Sequence, residues 1–298
     1  MKILVWGAGA NGNIYRQYIE RCTEDEFMGF IDNNFHLGGG DVKRPSEIKN
    51  LEFDLLVVSN EYPKDRQEIK EQLDTLSVDQ NKVIFLVEES QLKNTVFSTI
   101  NCYDEKTDRR VIWLASFAQY AKSAAMLGNV AECGVNCGEF AYYINKYFAD
   151  KKLYLFDTFD GFASKDLEAE RSLGERAFLE SRFNTGDSFK VASLDIVKKR
   201  MPHLQKCEFH VGYFPASAEG IDDNFCFVNL DTDLYQPILA GLEFFFPKMV
   251  SGGVILVHDY FNSSLPGVQK AIVDFENKSG TRLHKFPIAD YCSLAIVK

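Results

Sequence analysis

Asp231, His258 and Asp259 are residue types that hold divalent cations or move protons, and they stand directly after apolar runs. Phe225 to Leu230 leads into Asp231-Thr232-Asp233-Leu234-Tyr235, and Gly252-Gly253-Val254-Ile255-Leu256-Val257 leads into His258-Asp259-Tyr260. If both runs are neighbouring strands of an open α/β sheet, their C-terminal ends form its ligand edge and the three side chains converge on one small volume. Two carboxylates and an imidazole, with the remaining positions left to water and substrate, suit Mg²⁺ or Mn²⁺. A cation there would lower the pKa of a coordinated hydroxyl and fix its oxygen. Without one, Asp231 or His258 would act as a plain general base. The blander reading of His258 is a satisfied core histidine. Asp233 is read as a helix-capping or supporting residue rather than a ligand.

A second constellation precedes these. Glu132-Cys133-Gly134-Val135-Asn136-Cys137-Gly138 closes an apolar strand and opens a helix, where a glycine-rich turn lets a ligand approach the backbone. The next strand ends at Asp157, in Phe156-Asp157-Thr158-Phe159-Asp160-Gly161-Phe162. An acid at that place accepts hydrogen bonds from ribose hydroxyls, so the pair of signals points to an adenosine-containing ligand. The alternatives are glycines that serve only a tight turn and an Asp157 that caps a helix. Near the N-terminus, Gly7-Ala8-Gly9-Ala10-Asn11-Gly12 matches the dinucleotide fingerprint, with Asp32 ending the following strand. Its helix N-terminus would favour a phosphate.

The elements that must position these residues alternate along the chain. Strands are expected at Ile3 to Trp6, Phe27 to Ile31, Leu55 to Ser59 and Val83 to Val87, with helices from about Asn11 to Arg21 and from Lys64 to Leu76. The polar stretch from Ser90 to Asp108 reads as a connector. A helix from about Arg109 to Met126 opens a second series, with strands at Val130 to Cys133, Leu153 to Phe156, Cys207 to Val211, Phe225 to Leu230, Val254 to Val257 and Cys292 to Val297. Helices are expected at Glu139 to Ala149 and Val268 to Asn277. Strands alternating with helices imply parallel α/β units: a small Rossmann-like domain at 1–88, a linker at 89–108 and a second domain at 109–298. The charged insertion between Ser164 and Gly186 is either a solvated surface helix or a lid.

Composition bounds the partners. The net charge of −10 is acidic in both halves, which disfavours nucleic acid and anionic membranes. No apolar stretch is long enough to span a bilayer, and Met1-Lys2 leads straight into a strand, so a cytoplasmic location is expected. Seven cysteines without C-x-x-C pairs read as reduced and structural, and Cys133 with Cys137 gives too few ligands for a metal site.

From about Val111 onward the chain resembles the macrocin O-methyltransferase family of sugar-modifying enzymes. The landmarks are Glu132-Cys133-Gly134-Val135 to Gly138, Phe156-Asp157 to Gly161, Val211-Gly212-Tyr213-Phe214-Pro215, Leu230-Asp231 with Asp233 and Tyr235, and Gly252-Gly253 leading to Asp259-Tyr260. The resemblance implies a seven-stranded S-adenosylmethionine-dependent methyltransferase fold. It implies donor contacts at Glu132, Gly134, Asn136, Gly138, Asp157, Thr158, Gly212, Tyr213 and Asp231, and magnesium near Asp231 and Asp259. His258 stands where the family usually has an acid, so it is either a softer metal ligand or the base. The first domain is similar, more weakly, to small nucleotide-sugar-binding domains. Gly7, Gly9, Asn11, Gly12 and Asp32 would then hold the nucleotide of a sugar-nucleotide acceptor or a regulatory nucleotide, or the domain would be a scaffold for homodimer contacts. Two other functions compete with methyl transfer: NAD(P)-dependent oxidoreduction through the first domain, and non-catalytic nucleotide sensing.

Overall fold

The structure is a computed structural model that describes residues 1–35, 42–100, 103, 105–173 and 192–298. The chain divides into two compact units, one formed by 1–102 with 187–196 and the other by 103–186 with 197–298.

The first unit is a parallel sheet of five strands in the order β3-β2-β1-β4-β5. These are β1 (Lys2–Trp6), β2 (Glu26–Ile31), β3 (Val42–Lys43), β4 (Leu55–Val58) and β5 (Val83–Phe85), with helices α1 (Ala10–Cys22), α2 (Pro63–Thr75) and α3 (Ser90–Thr99). Ile3, Leu4, Val5 and Trp6 are all buried, as expected of a central strand covered on both faces. The order reverses at β1, which is the doubly wound arrangement expected from the alternating pattern. The stretch read as a connector begins instead with α3. Its buried residues are only Val96 and Phe97, so the apolar period is too thin to announce a helix.

The second unit holds a seven-stranded sheet in the order β11-β12-β10-β9-β6-β7-β8. Its strands are β6 (Asn129–Cys133), β7 (Leu153–Asp157), β8 (Cys207–Val211), β9 (Phe225–Leu230), β10 (Met249–Val257), β11 (His284–Pro287) and β12 (Leu294–Val297). β12 is antiparallel to both β10 and β11, while β6 to β10 pair in parallel. Its helices are α4 (Arg109–Ser123), α5 (Glu139–Tyr147), α6 (Ser164–Arg171), α8 (Tyr235–Phe245) and α9 (Pro266–Ser279), while the unit division falls within α7 (Leu194–Arg200), after Ile196. Val111, Leu114, Phe117, Ala118 and Ala121 of α4 pack with Val130, Phe227 and Leu256 of the sheet in one core. Residues 174–186 of the charged insertion lie outside the described residues, and α6 is a surface helix with Ser164, Lys165 and Glu168 exposed and Asp166, Leu167 and Glu170 buried. No helix among the described residues is long and apolar enough to cross a membrane.

Candidate active site

β6 lies between β7 and β9, where the strand order reverses, so the crevice for a ligand opens beyond the ends of β6 and β9. The parallel ladder continues one rung past the strands. Gly134 N donates to Phe156 O at 2.9 Å, Asp231 N to Cys133 O at 2.8 Å, His258 N to Leu230 O at 2.9 Å and Gly212 N to Asp157 O at 2.9 Å. These rungs bring Glu132 and Asp157, at the ends of β6 and β7, and Asp231 and His258, just past β9 and β10, to one level of the sheet edge. Gly134, at φ +83°, cannot carry a side chain, since a Cβ would fall 2.0 Å from Asp231 O. Gly138, at φ +77°, stands at the N-cap of α5 and supplies no side-chain hydrogen bond to it.

Asp157 shapes this cradle. Its Oδ2 accepts from Val135 N at 2.7 Å and Asn136 N at 2.9 Å, and its Oδ1 accepts from Phe159 N at 2.7 Å. Burial pushes its pKa up against these backbone bonds. The acid therefore fixes the glycine turn, and Asn136 enters that turn through its backbone at φ +49°. Thr158 closes the next turn, with Oγ1 donating to Gly161 O at 2.8 Å.

Behind the cradle lies a polar network that the sequence did not signal. Arg110 and Asn229 are 3% and 0% exposed, and Glu132 is 1% exposed. Asn229 Nδ2 donates to Glu132 Oε1 at 2.8 Å, while Arg110 Nη2 donates to Asn229 Oδ1 at 2.9 Å and to Asp231 Oδ2 at 2.7 Å. The guanidinium lies 3.9 Å from the centre of the Phe140 ring. Glu132 Oε2, Arg110 Nε and Nη1, and Thr232 Oγ1 are buried with no hydrogen-bond partner among the described residues. Such orphaned groups at a strand edge mark a polar ligand site. Burial raises the pKa of Glu132 well above the carboxylate range, and Arg110 only partly opposes it. Burial acts on Asp231 in the same direction, but His258 and Arg110 outweigh it and hold that carboxyl below its usual value.

The acidic cluster differs from the expected set. Carboxylate oxygens of Asp231, Asp233 and Asp259 lie within 4.8 Å of one another, whereas His258 groups with Asp259 and Cys292. Asp233 thus joins Asp231, although it was expected to support rather than ligate. A strand's two-residue period already sets such a pair on one face, and the turn after β9 holds Asp233 at φ +60°. An all-oxygen set fits a hard cation such as Mg²⁺ or Mn²⁺. His258 Nδ1 lies 2.9 Å from Ser293 Oγ, which itself donates to Asp290 Oδ2 at 2.5 Å. With the serine proton committed to Asp290, Nδ1–H donates to Ser293 Oγ, which leaves Nε2 as the ring nitrogen free of that bond.

Gly212 stands at the same edge, but Tyr213 is tied to α6. Its hydroxyl donates to Asp166 Oδ1 at 2.9 Å, and Lys165 Nζ lies 3.6 Å from its ring centre. Burial and Asp166 together push the phenol's pKa up. Glu170 Oε1 and Oε2 accept from Gly267 N at 2.9 Å and Tyr235 N at 2.8 Å, anchoring α6 to the starts of α8 and α9.

In the first unit the three glycines divide their labour. A Cβ at Gly12 would lie 1.8 Å from Gly7 O, and one at Gly7, where φ is +105°, would lie 2.6 Å from Asn60 Oδ1. A Cβ at Gly9 would meet nothing within 4 Å, so that position alone leaves open space before α1. Asp32 Oδ2 accepts from Ala8 N at 2.7 Å and its Oδ1 from Asn34 N at 2.8 Å, while Asn11 Nδ2 donates to Glu61 Oε2 at 3.2 Å. Asp32 therefore braces the turn, as Asp157 does in the second unit.

The sheet order, the antiparallel β12 and the crevice at β6 and β9 define a methyltransferase-type α/β fold. Residues 106–291 match the macrocin-O-methyltransferase (TylF) family and residues 1–84 match the C2185-like N-terminal family. The chain belongs to the macrocin-O-methyltransferase (TylF) family and is an O-methyltransferase. No curated protein sequence resembles it closely enough to count as a match. Among solved structures, the O-methyltransferase NovP superposes with a TM-score of 0.54 at 16% identity, covering 70% of this chain and 99% of its own. The calicheamicin methyltransferase CalS11 gives 0.48 at 16% identity, covering 70% and 91%. At these identities the likeness concerns the fold.

Proposed function

We propose that the second unit transfers a methyl group from S-adenosylmethionine to a hydroxyl of a sugar, sugar nucleotide or glycosylated small molecule, assisted by a divalent cation. The observation that carries this reading is the meeting of the Gly134 cradle, Asp157 and three carboxylates at one sheet edge. The glycine turn that leads into α5 and the buried orphan atoms of Glu132 and Arg110 suit a zwitterionic amino-acid moiety with an adenosine. Asp231, Asp233 and Asp259 would hold the cation, which would polarise the acceptor hydroxyl when bound. Arg110 neutralises and orients Asp231 from behind. His258 Nε2, set by the Ser293–Asp290 pair, takes the hydroxyl proton as the oxygen attacks the donor's methyl carbon and the methyl–sulfur bond breaks, its electron pair going to the sulfur of S-adenosylhomocysteine. Positioning and charge neutralisation supply most of the rate.

The test is transfer of a labelled methyl group from S-adenosylmethionine to a panel of sugar nucleotides and glycosides. Turnover should vanish on chelation, return with Mg²⁺ or Mn²⁺, and fall by at least about 100-fold in His258→Ala, the range of general-base loss. Full turnover after rigorous chelation removes the cation from the reading, and an unaffected His258→Ala removes the base.

A further inference from the structure

His258, Asp259 and Cys292 bring three different donor chemistries together just beside the all-oxygen set. Their ligand atoms lie within 4.8 Å of one another. Cys292 Sγ is 3.8 Å from His258 Nε2 and 3.4 Å from Asp259 Oδ1. A tetrahedral zinc ion, with its usual bond lengths to sulfur, nitrogen and oxygen, holds such atoms about 3.4–3.6 Å apart. Cys292 Sγ already stands near that spacing from both other donors. The His258 ring is oriented as metal-binding histidines are, its Nδ1 tied through Ser293 Oγ to the Asp290 carboxylate and its Nε2 facing Cys292 Sγ. Cys292 is partly exposed, so an ion can reach it.

We propose that His258, Asp259 and Cys292 form a binding site for a borderline-soft divalent cation of the zinc class, which overlaps the hard-cation set at Asp259 and, when filled, occupies the His258 Nε2 that methyl transfer would use as base. Thiolate and imidazole select such ions, whereas Mg²⁺ prefers oxygen. Binding replaces the Cys292 thiol proton, which is released to solvent, by the metal. Three protein donors leave a fourth position to water, the open form of zinc coordination. Asp259 is common to both sets, so an ion here draws one carboxylate from the hard-cation cluster.

The experiment uses the full, untagged chain and Co²⁺ as a spectroscopic stand-in for zinc. Titration should produce a sulfur-to-cobalt charge-transfer band in the near ultraviolet that Zn²⁺ abolishes and a large excess of Mg²⁺ does not. Cys292→Ser should remove the band, and Ser293→Ala should weaken Co²⁺ binding by roughly 10-fold or more through loss of the ring's support. As a check on the unaltered protein, Zn²⁺ should protect Cys292 from alkylation, mapped by peptide mass spectrometry. A band that survives Cys292→Ser, no band at all, or a Cys292 alkylated equally with and without Zn²⁺ overturns the site. These readouts do not depend on turnover, so their failure is separate from failure of the methyl-transfer reading.

Discussion

At the scale of single residues, the buried network behind the cradle carries the strongest consequences. Removing Arg110 leaves the Asp231 carboxylate without its partner, and Arg110→Met should cost about 3 kcal/mol in urea denaturation, the lower end for breaking a buried pair. Glu132 gives a pH signature. Its folded pKa is raised by burial, so above the unfolded value of about 4.3 the native state keeps a proton that the unfolded chain releases. That contribution to stability is present below pH 4.3 or so and is lost as pH rises through the folded pKa. Glu132→Gln should therefore gain in Tm relative to the parent as pH climbs from about 4.5 to 8, and parallel melting curves across that range would contradict it. Glu132, Gly134, Asp157 and Asp231 were legible because glycines and acids at strand ends interrupt apolar runs. Arg110 was not, because it sits on the same helical stripe as Leu114, Phe117 and Ala121, where a charge is hidden among core residues. Asn229 was concealed likewise inside the fully buried strand β9.

At the scale of elements, α6 is fastened by one carboxylate. Glu170 satisfies backbone N–H groups at the starts of α8 and α9, and a Cβ at Gly267 would lie 2.2 Å from its Oε2. Glu170→Ala should cost about 2–4 kcal/mol by orphaning two N–H groups, and Gly267→Ala should expel the same carboxylate. The double variant should cost clearly less than the sum of the singles in a double-mutant cycle, and additive costs would contradict a shared contact. The elements that the sequence concealed share a physical cause, the lack of a readable period. α8 carries apolar residues at half-exposed as well as buried positions, and β11 is exposed along its whole length, so neither shows a clean apolar–polar period in the sequence. The strands buried on both faces were legible because their β-rich apolar runs are short and bounded by turn residues.

At the scale of the whole molecule, two α/β units each set an acid against a glycine turn. The bracing roles of Asp32 and Asp157 show why the paired signal recurs: each acid holds the turn's N–H groups in place whether or not a ligand arrives. In the first unit Gly12→Ala should cost about 3 kcal/mol or more, because the added carbon meets backbone at 1.8 Å, while Gly9→Ala should be nearly neutral. Denaturation of the two variants checks the difference, and equal losses would contradict the assignment of open space to Gly9. Donor binding by the second unit is read by titration calorimetry with S-adenosylhomocysteine. The chain should bind it, Gly9→Ala should bind it equally well, and Asp157→Ala should bind it more weakly by about 1.5–3 kcal/mol through loss of a charge-assisted contact and of the turn it holds. No binding of S-adenosylhomocysteine or S-adenosylmethionine, or an affinity unchanged in Asp157→Ala, would contradict the account.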